Sequence, residues 1–257
     1  MANTQQTVTN RPRAFVTGAA RGLGAAIALG LARDGFDLAV TATKADRLAE
    51  TLGALAPTGS RVIPLTLDVR SVPSVEQAVA KAIESLGGLD VLVNNAGITA
   101  RTPALDVTLE EWNEILRVNV TGALLMSQQV ARHLVASKRA GCIINIASTH
   151  GLIGFAQRLS YGTSKGALIQ MTRMLAIEWA SHGIRVNAIA PGTAETASRL
   201  EYFAANPAVR DAMIRRIPSG RFCTPDEIAG AVCYLASPAA AYVTGQTLTI
   251  DGGLTAA

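Results

Sequence analysis

Aromatic residues are scarce, at 4% of 257 positions. The core must therefore be filled by Ala, Val, Ile and Leu, and the 23 glycines allow backbones to approach closely. Cysteine is scarce too. Cys142, Cys223 and Cys233 have no CxxC or His-paired spacing, which excludes a disulfide framework and a zinc site. A reducing, cytoplasmic setting is the expectation. No apolar run approaches the roughly 18 residues of a membrane-spanning helix, and the opening MANTQQTVTNRPR lacks the apolar stretch of a signal peptide. Residues 1–12 are expected to form a mobile tail. Charged residues make up only 16%, with 23 basic against 19 acidic giving +4. The basic residues are scattered, their longest clusters being pairs such as Lys138-Arg139 and Arg215-Arg216, so no nucleic-acid partner is expected.

Apolar residues are plentiful, at 49%, which excludes a disordered chain. Strand-like runs at 13–17, 37–41, 61–67, 89–93, 142–147, 184–189 and 247–250 alternate with helix-period segments at 24–33, 45–56, 74–86, 109–137, 161–181 and 225–236. This order predicts an α/β chain with a single doubly wound Rossmann domain over 13–257, its mostly parallel sheet joined by right-handed crossovers. The stretch 191–224 breaks the rhythm with Pro207, Pro218 and short helical pieces, and is expected to be a substrate loop.

Three features carry chemistry. The first strand runs into Thr17-Gly-Ala-Ala-Arg-Gly-Leu-Gly24, placing Gly18, Gly22 and Gly24 between a strand and a helix. There they permit a tight turn and let a pyrophosphate reach the N–H groups at the positive helix end. Tyr161 and Lys165 are four apart on a predicted helix and share a face. An ammonium near a phenol favours the phenolate and lowers its pKa, so Tyr161 is a candidate general acid for a carbonyl oxygen and a base in reverse. Ser148, after the fifth strand, can hydrogen-bond the same oxygen. Finally, Val40-Thr-Ala-Thr-Lys44 at the end of the second strand has no acid before Asp46, where an NAD site would place one. Arg21, Thr43 and Lys44 suit a 2′-phosphate, so NADP(H) is the preferred cofactor and NAD(H) the alternative. His150 raises a Ser/His hydrolase reading, but neither a GxSxG elbow nor an orienting acid accompanies it.

Taken in order, these motifs resemble the short-chain dehydrogenase/reductase family from about residue 13 to residue 253. The resemblance rests on TGxxxGxG ending at Gly24, Asn94-Asn-Ala-Gly97 after strand four, Asn119 in the next helix, and Ser148 after strand five. Tyr161-Gly-Thr-Ser-Lys165, Pro191-Gly192 after strand six and Asp251-Gly-Gly253 complete it. It implies a seven-stranded sheet in the order 3-2-1-4-5-6-7 and a catalytic set of Asn119, Ser148, Tyr161 and Lys165. In this family pattern Lys165 also holds the nicotinamide ribose, and Asn119 supports a water chain that resupplies the proton. Cofactor contacts are implied at Gly18, Arg21, Gly22, Leu23, Gly24, Thr43, Lys44, Asp68, Val69, Asn95, Ala96, Gly97, Tyr161, Lys165, Pro191, Gly192, Thr193 and Thr196, with Asp68 meeting the adenine amino group. No metal is implied.

The implied reaction is NADP(H)-dependent reduction of a carbonyl, in a 3-oxoacyl thioester or small ketone, to a secondary alcohol. A sugar or polyol dehydrogenase and a non-catalytic NADP(H)-sensing protein are the alternatives. The chain is similar to 3-oxoacyl-(acyl-carrier-protein) reductases, which present two arginines beside the active-site entrance. Arg139 matches one position and His182 stands at the other, which leaves an acyl carrier protein partner open. Glu195 is either a helix N-terminal charge or a reader of a hydroxylated substrate, and 199–203 is expected to line the pocket. A homotetramer or homodimer is expected through the helices at 109–137 and 161–181.

Overall fold

A sheet covered by helices on both faces needs apolar residues at consecutive strand positions. The runs RAFV, VLVN and GCIINI meet that need. The computed structural model describes residues 11–256. Its strands are β1 (Arg13–Val16), β2 (Asp37–Ala42), β3 (Val62–Thr66), β4 (Val91–Asn94), β5 (Gly141–Ile146), β6 (Ile184–Pro191) and β7 (Thr247–Ile250). They form one sheet in the order β3-β2-β1-β4-β5-β6-β7, the order expected from the sequence. All its strand pairs are parallel. The winding reverses at β1, where Phe15 pairs with Ala39 on one side and Leu92 on the other. Such a reversal opens a crevice at the carboxyl ends of the strands.

The helices are α1 (Gly22–Arg33), α2 (Ala49–Leu55), α3 (Val72–Leu86), α4 (Leu109–Leu116), α5 (Gly122–Ala136), α6 (Leu159–Trp179), α7 (Ala197–Ala205), α8 (Pro207–Ile214) and α9 (Pro225–Ala236). Ala14, Val16, Leu38, Val40 and Ile144 pack one face of the sheet against α1 and α9. Phe15, Ala39, Leu92 and Ile143 pack the other against α3, α5 and α6. Local signals set several boundaries. Ser71 caps α3 by accepting from Ser74 N, and Gly87 ends it at φ 78°. Thr224 and Glu227 form a reciprocal capping box ahead of Pro225 at the start of α9.

Three segments depart from expectation. The helix expected over 109–137 is interrupted by a π-turn at Arg117–Thr121, which separates α4 from α5. The helix expected over 45–56 shortens to α2 between two 3-10 turns. The stretch 191–224 holds α7 and α8, anchored by a small core of Phe203, Ile217 and Phe222 with the two phenylalanine rings stacked at 4.8 Å. Residues 1–10 of the expected tail lie outside the described residues. Arg11 and Pro12 are fastened to the sheet: Arg11 donates to Gly35 O at 2.9 Å and Gly59 O at 2.8 Å, and Asp37 N donates to Pro12 O. Among the described residues no helix is long and apolar enough to cross a membrane, and no group of three or more His, Cys, Asp or Glu could hold a metal.

Candidate active site

The loops at the carboxyl edge of the sheet enclose a continuous groove, two cavities joined by shared walls at Leu23, Asn95, Gly97 and Ile98. Its outer half begins at the glycine turn. Gly18 adopts φ +66°, open to glycine at little strain, and a Cβ on Gly24 would lie 2.3 Å from Gly18 O and 2.5 Å from Asn95 Nδ2. Asn95 donates to Thr17 O and Gly18 O, while Asn95 N and Ala96 N both donate to Thr17 Oγ1 at 2.9 Å. The turn after β1 and the loop after β4 are thereby locked together. The first turn of α1 has no side-chain cap and no acid, so its N–H groups face the groove unneutralised.

Arg21, Thr43, Asp68, Val69 and Ala96 line this half as expected. Lys44 does not. Arg47, carried into the groove by the 3-10 turn Ala45–Leu48, stands there in its place, with Arg70 also in the wall. Asp68 is held below the usual carboxylate range by Arg70, which donates to both its oxygens and reaches Glu114. Gly22 lies beneath the groove wall, where a Cβ would meet the Thr196 methyl at 3.3 Å.

The inner half brings Ser148, Tyr161, Lys165, Pro191, Gly192, Thr193 and Thr196 together. Ser148 lies two residues past β5 and caps a 3-10 turn, Thr149–Gly151. That turn can rest on α6 because Gly151 has no side chain; a Cβ there would lie 2.7 Å from the backbone of Lys165. Ser148 is thus set beside Tyr161. Burial pushes the Tyr161 phenol above its ordinary pKa, while a hydrogen bond from Ser148 and the charges of Arg158 and Arg199 pull against it. The direction is opposite to the sequence expectation. The physical reason is burial of the phenol, which outweighs the groups that favour its anion; Lys165 Nζ, itself buried, donates to Ile146 O at 2.7 Å and sits 5.7 Å from the phenol ring centre. Burial lowers the Lys165 pKa to about 8.

Asn119 sits in the π-turn, under the groove and outside its wall. Its Nδ2 donates to Ile98 O at 2.9 Å and Ser164 Oγ at 3.0 Å, and its Oδ1 accepts from Ile98 N at 2.8 Å. Both hydrogens of its side-chain amide are taken up, holding the 97–98 loop against α6. Asn94 donates to Ser127 Oγ and Asn145 Oδ1, and Asn145 to Thr172 Oγ1 at 2.9 Å, a buried network tying β4 and β5 to α5 and α6. Sequence reasoning missed Asn145; a polar residue in an otherwise apolar strand was its signal. It also missed Gly151 and the helical Gly162, whose Cβ would lie 2.9 Å from His150 O.

His150 Nδ1 lies 3.2 Å from Ser148 Oγ. Burial first, then Arg158, Arg199 and Arg216, depress its pKa to about 4. Among the described residues no acid orients it, and so weak a base cannot activate a serine nucleophile at neutral pH. Glu195 is not part of the groove wall, and its backbone N–H donates to Cys223 O at 2.9 Å. Within one chain Arg139 pairs with Asp90 at the amino edge of the sheet, opposite the groove, instead of standing beside its entrance.

A family model described as Enoyl-(Acyl carrier protein) reductase matches residues 18–255. The chain belongs to the short-chain dehydrogenase/reductase family. It is 37% identical over 240 residues to a 2-dehydro-3-deoxy-D-gluconate 5-dehydrogenase of Escherichia coli K12, covering 93% of this chain and 94% of that one. It is 41% identical over 242 residues to a 3-oxoacyl-[acyl-carrier-protein] reductase of Vibrio cholerae, covering 94% and 96%. A crystal structure from Agrobacterium tumefaciens with bound NADP superposes with a TM-score of 0.89 at 37% identity, covering 98% of this short-chain dehydrogenase/reductase and 100% of that chain.

Proposed function

We propose that the chain is an NADP(H)-dependent oxidoreductase that interconverts a ketone and a secondary alcohol. The observation that carries this reading is the meeting of Ser148, the Tyr161 phenol and buried Lys165 at the inner end of a groove whose outer end is the uncapped start of α1. The residues fit the cofactor. The α1 N-terminus and the turn from Gly18 to Gly24 suit a pyrophosphate. Arg21, Arg47 and Thr43 suit a 2′-phosphate, and Tyr161 and Lys165 would hold the ribose at the nicotinamide end. When bound, NADPH supplies the hydride that reaches the carbonyl carbon.

The chain's own residues handle the oxygen. Tyr161 delivers its proton as negative charge develops there, and Ser148 donates a hydrogen bond to it. With its Nδ1–H tautomer, neutral His150 donates to Ser148 Oγ and leaves the hydroxyl hydrogen free for the substrate. Gly97, Ile98 and α6 are held by Asn119, which acts through position.

The test is NADPH oxidation over acyl-thioester ketones, keto-sugars, keto acids and simple ketones, with alcohols run in reverse against pH. A phenol raised by burial stays protonated through neutrality. Reduction is therefore expected to hold level from about pH 6 to about pH 8, whereas oxidation, which needs the phenolate, climbs with pH toward the phenol pKa. Oxidation that is level over that range, or no turnover of any compound, contradicts the proposal.

Self-association is part of the same reading. Met174 and Ile177, 59% and 80% exposed on one face of α6, and Val135 on α5 offer apolar surface for a second copy. Light scattering is expected to give at least twice the mass of one chain; a monomer contradicts it.

A further inference from the structure

Beyond Tyr161 the groove opens into a second cavity, of about 270 Å³, with one sign of charge on its wall. Arg101, Arg158, Arg199 and Arg216 line it, and no Asp or Glu does. Among the described residues none of the four arginines takes part in an ion pair. Arg158 and Arg199 also belong to the wall that holds Ser148 and Tyr161, so the cluster starts where the reacting carbonyl is placed.

Uncharged partners set two of the guanidiniums. Arg158 donates to Ala100 O at 2.7 Å and Thr99 Oγ1 at 3.0 Å, and Arg101 donates to Gln157 Oε1 at 2.8 Å and Tyr202 OH at 3.3 Å. Arg216 lies over the Phe155 ring at 5.0 Å. The nearby carboxylate of Glu111 is taken up by Thr102 and Ser160 and stays off the wall. The cations are close enough to feel one another: burial, then Arg199 and Arg101, pull the Arg158 pKa down. A concave, one-signed wall assembled from four separated segments against its own repulsion is a site that an anion relieves.

We propose that this cavity receives an anionic group, a carboxylate or a phosphate, borne by a small ketone whose carbonyl reaches Ser148 and Tyr161. The size of the cavity suits a small molecule. The substrate class is then keto acids or keto phosphates, ahead of uncharged sugars and alkyl ketones. The reaction assigned to that substrate rests on the oxidoreductase reading; the binding of the anion does not.

Matched pairs test it. kcat/KM at fixed NADPH is measured for levulinate against methyl levulinate and for dihydroxyacetone phosphate against dihydroxyacetone. At least one charged member is expected to exceed its neutral match by about tenfold or more. That ratio should fall toward unity in Arg199→Gln/Arg216→Gln and fall in part in the exposed Arg216→Gln alone. The pair that shows the preference identifies carboxylate or phosphate. Neutral members equal to or better than charged ones in both pairs, or a preference that both variants retain, overturns the proposal. If no compound is reduced, the oxidoreductase reading fails for these ketones, and calorimetric titration of levulinate and inorganic phosphate decides the anion site separately. Binding of either anion that is lost in the double variant upholds it; no binding, or equal binding in the variant, overturns it.

Discussion

Tyr161→Phe is expected to lower kcat for ketone reduction by about 10²–10⁴-fold, the range over which a positioned proton donor contributes, while NADPH binding stays near its parental affinity. The substitution removes one hydroxyl and keeps the ring, so the packing of α6 on the Ser148 turn survives. What is lost is the only phenol that the described residues place in the groove wall. His150 cannot replace it, because burial and three guanidiniums leave it unprotonated above about pH 4. Nor can Lys165, whose Nζ is turned to Ile146 O. Steady-state rates together with NADPH fluorescence titration check the result, and a variant that retains parental kcat removes Tyr161 as the proton donor.

The second large effect concerns the outer end of the groove. The parent is expected to prefer NADPH over NADH in kcat/KM, and Arg21→Ala/Arg47→Ala to reduce that ratio by about tenfold for each guanidinium lost. A hydrogen bond to a charged group contributes roughly 1.5–3 kcal/mol, and exposure of these side chains argues for the lower end. Rates with NADH should change little, since its ribose offers no charge to either arginine. Lys44→Ala is expected to matter less, because Lys44 stands off the wall. A parent that prefers NADH, or a ratio unmoved by the double substitution, contradicts the assignment.

The fold was legible because the central strands are apolar at consecutive positions and some helices carry their own start or stop, as Ser71 and Gly87 do for α3 and Thr224 does for α9. The candidate site was legible where residues follow the ends of strands, as the glycine turn and Ser148 do, or share a helix face, as Tyr161 and Lys165 do. Quantities set by tertiary surroundings were not. The spacing of Tyr161 and Lys165 gives a shared face but carries no information on burial, which reverses the shift of the phenol. The π-turn at Asn119 leaves no periodic trace in an otherwise helical stretch. Arg47 lines the groove where Lys44 does not because Lys44 is still extended and the chain folds into the 3-10 turn Ala45–Leu48 only after it, a change of direction that leaves no mark in the apolar pattern. The four arginines come from residues 101, 158, 199 and 216, and only the packing of α7 and α8 over the groove gathers them.

The most direct measurement follows the hydride itself. A ketone turned over with NADPH deuterated at the transferring C4 position is expected to yield an alcohol carrying one deuterium at the carbinol carbon, seen by mass spectrometry, with about 10²–10⁴-fold less of it from Tyr161→Phe at matched times. NADPH consumed without deuterium in the alcohol, or labelled alcohol formed by Tyr161→Phe in the parental amount, would contradict the account.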